Sequence, residues 1–254
     1  MSEPYVRSEV ADGVATLTLD SPHNRNALSR RLVAELRQGF SDAADDEAVR
    51  AVVLTHTGGT FCAGADLSEA GSGDADPQQS TRDLIALLRA IVELPKPVVG
   101  RIDGHVRAGG MGLVGACDVV VAGPSCTFAL TEARLGLAAS VISLTVLPRL
   151  GSRAAGRYFL TGEKFGADEA ERAGLVTVAT EDAAAATETV LGQLRLCSPQ
   201  GLAESKALTT APVLARFDSS ADELAAQSAR LFGSEEAREG MMAFLQKRPP
   251  RWAR

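Results

Sequence analysis

Three short apolar runs, separated from one another by segments of helical periodicity, constrain the fold of this chain most. They occupy residues 51–55, 98–102 and 119–122, and valine is their commonest residue. Continuous apolar runs of this length are typical of strands that are buried on both faces. Strands that alternate with helices form α/β layers around a mostly parallel sheet. The sequence therefore predicts an α/β fold.

The strand pattern stops near residue 180, and every later periodic segment is helical. Four helices are predicted in this part, over residues 183–196, 199–209, 221–232 and 235–247. Pro199 suits the first turn of a helix, and Gly233 suits a helix end. We therefore divide the chain into an α/β core, residues 1–195, and a helical C-terminal part, residues 196–254.

The composition limits the classes of partner. With 254 residues, of which 45% are hydrophobic, the chain can bury a sizeable core. The formal net charge is −6 and the sequence has no block of lysine and arginine. Neither a nucleic acid nor an anionic membrane is therefore an expected partner. A small anionic ligand is compatible with this charge, because a few basic residues placed locally would bind it.

The cysteines, the histidines and the N-terminus favour a metal-free protein of the cytoplasm. The four cysteines lie far apart without a Cys-x-x-Cys spacing, and the three histidines are too scattered for a zinc site. Separate thiols of this kind are typical of a reducing compartment. The first residues lack the apolar segment of a signal peptide, and no apolar stretch has the length needed to span a bilayer.

A glycine-rich segment over residues 103–113 follows the second apolar run. Gly109, Gly110 and Gly112 fall in the first turn of a predicted helix, where each costs about 1 kcal/mol relative to alanine. Close packing of the helix is one explanation for this cost. The other is a helix N-terminus that presents free N–H groups to an anion or an oxyanion. The segment is not a Walker loop, because no Gly-Lys-Ser/Thr follows.

Two further motifs have both a functional and a structural interpretation. The small residues of segment 61–67 would let a ligand approach the main chain, but they also suit a tight turn between a strand and a helix. Glu132 lies in an otherwise apolar stretch, residues 128–136. It is either a functional carboxylate or an exposed or salt-bridged one, with Arg134 nearby.

Taken together, the motifs resemble the enoyl-CoA hydratase/isomerase (crotonase) superfamily. The matching features are Asn26-Ala27-Leu28, Ala63-Gly64-Ala65-Asp66-Leu67, Gly109-Gly110, Ala116-Cys117-Asp118, and Glu132 followed by Leu135-Gly136-Leu137. Their order and spacing agree over essentially the whole chain. The resemblance implies a crotonase-like spiral of ββα units with a C-terminal helical trimerisation region, and therefore a homotrimer or a dimer of trimers.

The resemblance also implies a site for an acyl-CoA thioester, with coenzyme A as part of the substrate and no separate cofactor. The N–H groups of Ala65 and Gly109 would form an oxyanion hole, and Glu132 would transfer protons. Arg25 would reach the phosphates of CoA, and the adenine would lie against the loop 63–67. The remaining candidates for substrate binding are Ala27, Ala63, Asp66, Leu67, Gly112, Ser140 and, from a neighbouring subunit, Phe244 and Lys247.

The sequence departs from the family pattern at one catalytic position. Typical hydratases of the family carry two glutamates, and Gly112 stands where the first is expected, while Glu132 matches the second. Three interpretations follow. Glu132 alone hydrates a 2-enoyl-CoA through one water, and space freed at Gly112 admits a branched acyl group. Alternatively, Glu132 shuttles a proton between C2 and C4, as in Δ3,Δ2-enoyl-CoA isomerases. In the third, the site binds acyl-CoA without catalysis.

Overall fold

Two β-sheets form the centre of the structure, a computed structural model that describes residues 3–66, 69 and 77–253. The strands are β1 (Val6–Ala11), β2 (Val14–Leu19), β3 (Ala51–His56), β4 (Thr60–Cys62), β5 (Val98–Ile102), β6 (His105–Arg107), β7 (Val119–Ala122), β8 (Thr127–Ala129), β9 (Phe165–Gly166) and β10 (Val178–Ala179). The helices are α1 (Arg30–Asp45), α2 (Pro77–Glu93), α3 (Gly109–Ala116), α4 (Ser143–Val146), α5 (Ser152–Thr161), α6 (Ala167–Ala173), α7 (Ala183–Arg195), α8 (Pro199–Phe232) and α9 (Glu235–Leu245). Short 3-10 helices span Pro22–Asn24 and Glu132–Leu135.

The larger sheet has the strand order β1-β2-β3-β5-β7-β10. All its neighbouring strands are parallel except β1 and β2, which form a hairpin. The hairpin turns at Asp12 and Gly13, both with positive φ, as the Asp-Gly pair favours. The smaller sheet has the order β4-β6-β8-β9, in which β4, β6 and β8 are parallel and β9 is antiparallel to β8.

The chain visits the two sheets alternately. Strands β3, β5 and β7 lie in the larger sheet, and each is followed at once by a strand of the smaller sheet, β4, β6 and β8 respectively. Helix α2 follows the first pair and α3 the second, so a ββα unit repeats along the chain. The α/β fold predicted from the three apolar runs is confirmed, because these runs are β3, β5 and β7.

Helix α3 lies in the interior, with every residue buried. A β-carbon on Gly110 would lie 2.7 Å from Cβ of Cys62 in β4. A β-carbon on Gly115 would lie 2.7 Å from the carbonyl oxygen of Thr145 in α4. Such distances leave no room for a side chain, so α3 packs directly against the backbone of its neighbours. Close packing therefore explains these two glycines.

The structure corrects the predicted pattern of helices in the C-terminal part. Residues 199–209 and 221–232 belong to one continuous helix of 34 residues, α8, which contains Pro212. Thr210, Val213 and Phe217 are buried on one face of the intervening stretch. Their spacing of three to four residues continues a helical face, and its packing outweighs the cost of an internal proline, about 3 kcal/mol.

A buried ion pair attaches α8 to the core. Lys206 Nζ lies 2.7 Å from Oδ2 of Asp118, just before β7, and donates to the carbonyl oxygens of Ile91 (2.9 Å) and Lys96 (3.1 Å). The same Asp118 oxygen accepts the N–H of Val98 at 2.8 Å. Removal from water holds the pKa of Lys206 below its usual range. The ion pair is thus almost fully hydrogen-bonded, as a buried pair must be.

The chain division at residues 195 and 196 falls at the end of α7, before α8 begins. Helix α8 packs along α2 and α4 of the preceding part. The description of residues 196–254 as an oligomerisation region stays a prediction.

Two classes of feature are missing from the part of the chain that the structure describes. Within residues 3–66, 69 and 77–253, no helix is both long and apolar enough to cross a membrane. In the same residues, no three side chains of histidine, cysteine, aspartate or glutamate come together in a way that could hold a metal ion.

Substitution of Lys206 by methionine tests the ion pair. Lys206→Met keeps the length of the side chain but leaves the carboxylate of Asp118 buried and unpaired. We expect the free energy of unfolding to fall by about 3–5 kcal/mol, measured by urea denaturation at fixed protein concentration. The double variant Lys206→Met/Asp118→Asn should lose less than the sum of the single variants. The exposed Lys164→Met is the control, and an equal loss there would contradict the assignment.

Candidate active site

The three parallel strands of the smaller sheet end at the same edge. Ala65 follows the end of β4, Gly109 follows β6, and Glu132 follows β8. The N–H of Ala108 donates to the carbonyl oxygen of Ala129 at 3.4 Å, so the second and third strand ends are adjacent. Because β6 lies between β4 and β8, the fold brings the three residues predicted as catalytic to one edge.

The loop after β4 crosses the start of α3 at glycines. A β-carbon on Gly64 would lie 2.7 Å from Cβ of Ala108. A β-carbon on Gly109 would lie 2.5 Å from Cδ1 of Leu28 and 3.7 Å from the Cα of Gly64. Gly64 also has a φ of +91°, which a residue with a side chain rarely adopts. The two backbones are therefore in contact, and the peptide of Ala65 lies beside the first residue of α3.

Two backbone donors are free at this crossing. The N–H of Leu28 donates to the carbonyl oxygen of Gly64 (2.8 Å), and the isolated parallel bridge between Leu28 and Ala65 leaves the N–H of Ala65 unused. Gly109 is the first residue of α3, so its N–H has no partner within the helix. Among the described residues, neither N–H has an acceptor. The helix dipole favours negative charge at the N–H of Gly109; binding of one oxygen atom by both N–H groups stays a prediction.

Ala108, which precedes Gly109, has an unusual backbone conformation. Its φ is 46° and its ψ is −119°, a combination that glycine adopts far more easily than alanine. Such strain costs on the order of 1–3 kcal/mol and is commonest at functional sites. The strained residue sets the orientation of the peptide that carries the N–H of Gly109. Sequence reasoning missed Ala108, because alanine gives no sign of a positive φ.

Glu132 is the first residue of its 3-10 helix, and its carboxylate is unpaired. Oε2 is fully covered and has no hydrogen-bond partner among the described residues. Burial raises the pKa of Glu132 to about 7. Arg134, the expected partner for a salt bridge, instead donates from Nε to the carbonyl oxygen of Thr161 at 2.8 Å. The structural interpretation of Glu132 as an exposed or salt-bridged carboxylate is therefore wrong.

The sequence model of the enoyl-CoA hydratase/isomerase family matches residues 9–254. This chain belongs to that family. A crystal structure of an enoyl-CoA hydratase from Mycobacterium avium is 58% identical, with a TM-score of 0.93, over 99% of this chain and 100% of the other. The structure of a carnitinyl-CoA hydratase from Mycobacterium avium is 27% identical, with a TM-score of 0.87, over 99% of each chain. The mevalonyl-coenzyme A hydratase sidH of Aspergillus fumigatus is 32% identical over 94% of this chain and 91% of its own.

These relatives confirm two predictions made from the motifs. The membership of the crotonase superfamily is confirmed by the family match, and the crotonase-like fold is confirmed by the agreement with solved structures. The relatives are named as hydratases, which is consistent with a hydro-lyase. The roles of individual residues are not compared by these matches and stay predictions.

Four of the residues predicted to bind the substrate, Arg25, Ala27, Ala63 and Asp66, lie in or beside the loop after β4. Arg25 is exposed, and its carbonyl oxygen accepts the N–H of Ala63 at 3.1 Å. Nδ2 of Asn24 donates to Oδ2 of Asp66 at 3.0 Å. Ala27, which is close to Asn24 in sequence, is buried. Leu67, the remaining member of the motif, lies outside the described residues.

Gly112 has no free space around it, contrary to the expectation of room for a branched acyl group. A β-carbon there would lie 2.7 Å from Cγ2 of Ile142 and 3.2 Å from Cδ1 of Leu88. The carbonyl oxygen of Gly112 accepts the hydroxyl of Thr145 at 2.9 Å. The position that carries a carboxylate in typical hydratases of the family is thus closed by an apolar side chain. The expectation of free space at Gly112 was wrong, because the side chains of Ile142 and Leu88 pack against this glycine.

Ser140, a predicted binding residue, and two polar residues of β6 have structural partners. Ser140 donates its hydroxyl to Oε1 of Gln227 on α8 at 2.6 Å. Arg107 donates to the carbonyl oxygen of Thr127 at 2.6 Å, and His105 Nδ1 lies 3.0 Å from the hydroxyl of the same residue. These contacts join β6 to β8 and α8 to the segment before α4.

Phe244 and Lys247 lie at the end of α9. The side chain of Phe244 is exposed, and the N–H of Lys247 donates to the carbonyl oxygen of Phe244 at 3.1 Å. Lys247 has a φ of 53°, which ends the helical course. Their contribution to the CoA site of a neighbouring subunit stays a prediction.

The raised pKa of Glu132 predicts an unusual pH dependence of stability. The folded protein, with a pKa of about 7, holds this proton more tightly than an unfolded chain with a value of 4.5. The stabilisation of the folded protein by the protonated Glu132 is fully present below the unfolded pKa and is lost as the pH rises through 7. Between pH 5 and pH 8, the wild type should lose on the order of 2 kcal/mol more than Glu132→Gln, measured by urea denaturation. Glu223→Gln, on the exposed face of α8, is the control; a pH dependence unchanged by Glu132→Gln would contradict the burial of the carboxyl group.

Proposed function

We propose that this protein is an enoyl-CoA hydratase in which Glu132 is the only carboxylate that exchanges protons at the reacting carbons. One observation carries the proposal: a covered, unpaired carboxyl group with a pKa of about 7 lies at the same sheet edge as two free N–H groups. The N–H groups of Ala65 and Gly109 bind the thioester oxygen. The hydratase names of the relatives support the reaction class.

Glu132 and the two donors divide the chemistry between them. The carboxylate of Glu132 takes a proton from a water molecule as the water oxygen bonds to C3 of the 2-enoyl group. The electron pair of the C2–C3 double bond then forms an enolate, whose charge lies on the thioester oxygen and is stabilised by the N–H groups of Ala65 and Gly109. The protonated Glu132 returns a proton to C2. Water is added across the double bond, and the carboxylate is regenerated.

The environment of Glu132 suits both steps. A pKa of about 7 keeps the carboxylate and the carboxylic acid both populated near neutral pH, so one group can act as base and then as acid. No cofactor other than the CoA of the substrate takes part. Arg25, Ala63 and Asp66 are proposed to bind the CoA portion, because they lie beside the same loop.

An isomerase is the second candidate, and the surroundings of Gly112 favour it. Ile142 and Leu88 pack against this glycine, so the usual place of a second carboxylate is apolar. With one carboxylate, Glu132 would take a proton from C2 of a 3-enoyl-CoA and return it to C4, and the double bond would move. A branched 2-enoyl substrate draws no support from Gly112. It keeps support from the relative named mevalonyl-coenzyme A hydratase.

The substitution Glu132→Gln tests the proposed role of the carboxylate. Glutamine keeps the size of the side chain but cannot exchange a proton. We expect turnover to fall by about 10²–10⁴, with KM little changed. The assay uses linear and branched 2-enoyl-CoAs and 3-enoyl-CoAs, with product mass as the readout.

The products separate the three interpretations. Gain of one water identifies a hydratase, and movement of the double bond without a change of mass identifies an isomerase. Binding of every thioester without turnover by the wild type identifies a non-catalytic member. Full activity of Glu132→Gln on all substrates would remove the carboxylate from the mechanism.

A second substitution tests the closed position at Gly112. Gly112→Glu alone should place its side chain against Ile142 and lower the free energy of unfolding by at least about 1–3 kcal/mol. The double variant Gly112→Glu/Ile142→Ala opens room for the new carboxylate. We expect it to hydrate a short linear 2-enoyl-CoA faster than the control Ile142→Ala does. Equal rates for the two variants would show that the missing carboxylate does not limit hydration.

A further inference from the structure

The segment that carries Glu132 meets α9 at two close backbone contacts. A β-carbon on Gly136 would lie 2.6 Å from the carbonyl carbon of Glu236 and 2.8 Å from the nitrogen of Ala237. A β-carbon on Gly240 would lie 2.5 Å from the carbonyl carbon of Leu135. The two contacts are one helical turn apart along α9. Glycine on each side therefore lets main chain meet main chain directly.

The opposite side of the same segment is held by the end of α5. Arg134 donates from Nε to the carbonyl oxygen of Thr161, and a β-carbon on Gly162 would lie 3.0 Å from the carbonyl oxygen of Leu130. The carbonyl oxygen of Glu132 itself accepts the N–H of Leu137 at 2.9 Å. The segment that carries the carboxyl group is thus fixed between α5 and α9.

Local interactions stabilise helix α9 and the chain that follows it. The hydroxyl of Ser234 accepts the N–H of Ala237 at 3.1 Å and caps the first turn. Glu239 binds the guanidinium of Arg248 through both oxygens, at 2.7 Å and 2.9 Å, and accepts the N–H of Arg251 at 2.9 Å. The Arg248 contact lowers the pKa of Glu239 to about 2. The chain after α9 is therefore folded back onto it.

We propose that Gly240 is a positioning residue, which allows α9 to press against the backbone of Leu135 and so keeps the carboxyl group of Glu132 covered and correctly placed. The kinetic part of this inference rests on the proposed function of Glu132. The structural part, that α9 keeps water from the carboxyl group, does not.

A side chain added at Gly240 should displace Glu132, because Leu135 links the two residues. Leu135 is the last residue of a single 3-10 turn that starts at Glu132, so the two move together. A side chain at position 240 meets main-chain atoms, which no change of rotamer can move aside. The turn must shift, and a shift of about 1 Å at a catalytic group can cost roughly 100-fold in rate.

Charged groups on the packed elements do not explain the raised pKa of Glu132. These groups are Arg134 on its own turn, Arg153 and Arg157 on α5, and Glu235, Glu236, Arg238 and Glu239 on α9. Arg134 is bonded to a carbonyl oxygen, Arg157 to Glu163, and Glu239 to Arg248. Burial is the cause of the shift. Loss of burial is therefore the change that a displaced α9 would produce.

The test compares Gly240→Ala with Gly192→Ala. Both residues lie inside helices, so both variants gain similar helix propensity, but nothing lies within 4 Å of a β-carbon on Gly192. The pKa of Glu132 is measured by carbon-13 NMR titration, with its resonance identified by its loss in Glu132→Gln. We expect this pKa to fall toward 4.5 in Gly240→Ala and to stay unchanged in Gly192→Ala. Turnover should fall about 10–100-fold in Gly240→Ala, with KM within about twofold.

The outcomes separate this inference from the proposed function. A folded Gly240→Ala protein with the pKa and turnover of the wild type overturns the inference, whatever the substrate. If the wild type turns over no enoyl-CoA but Gly240→Ala still lowers the pKa of Glu132, the positioning role stands and the proposed function fails. If Gly240→Ala does not fold, Ser234→Ala loosens the start of α9 instead. A smaller fall of the same pKa supports the inference, and no fall overturns it.

Discussion

The close approach of α3 to its neighbours is the constraint on which the rest of the structure depends. Gly110 and Gly115 meet Cys62 and the backbone at Thr145 at distances that exclude a β-carbon. Each glycine costs about 1 kcal/mol of helix stability relative to alanine, and the packing of a fully buried helix offsets that cost. Because α3 is held this tightly, its first residue lies against the loop after β4. The packing therefore places the first residue of α3, whose N–H has no partner within the helix, beside the peptide of Ala65.

Exclusion of water links the fold to the chemistry. The elements around Glu132 leave its Oε2 covered and unpaired, and the pKa rises to about 7 as a result. In the proposed reaction, the N–H groups of Ala65 and Gly109 stabilise the charge on the thioester oxygen. Packing also leaves no room for a second carboxylate at position 112, because Ile142 lies against Gly112. In the proposed reaction, Glu132 therefore serves both proton transfers.

The C-terminal helices are attached to the core by two kinds of interaction. Lys206 on α8 forms a buried ion pair with Asp118 whose hydrogen bonds are nearly complete. Helix α9, in contrast, meets the 3-10 helix of Glu132 through the backbone of Leu135 and Gly240. The first interaction is polar and depends on its partner charge. The second depends on the close fit of two backbones.

The sequence by itself determined the α/β class, the strands β3, β5 and β7, and the family, because apolar runs and motif spacing are local properties of the chain. It did not reveal β4, β6 and β8, since strands of three residues carry no measurable periodicity. The sequence showed that Gly112 departs from the family pattern, but it did not show that Ile142 closes this position. The alanine at position 108 gave no sign of a strained backbone. The tertiary structure decided these points, together with the burial of Glu132. Each depends on contacts between residues that are distant in sequence, and such contacts exist only once the sheets and helices have packed.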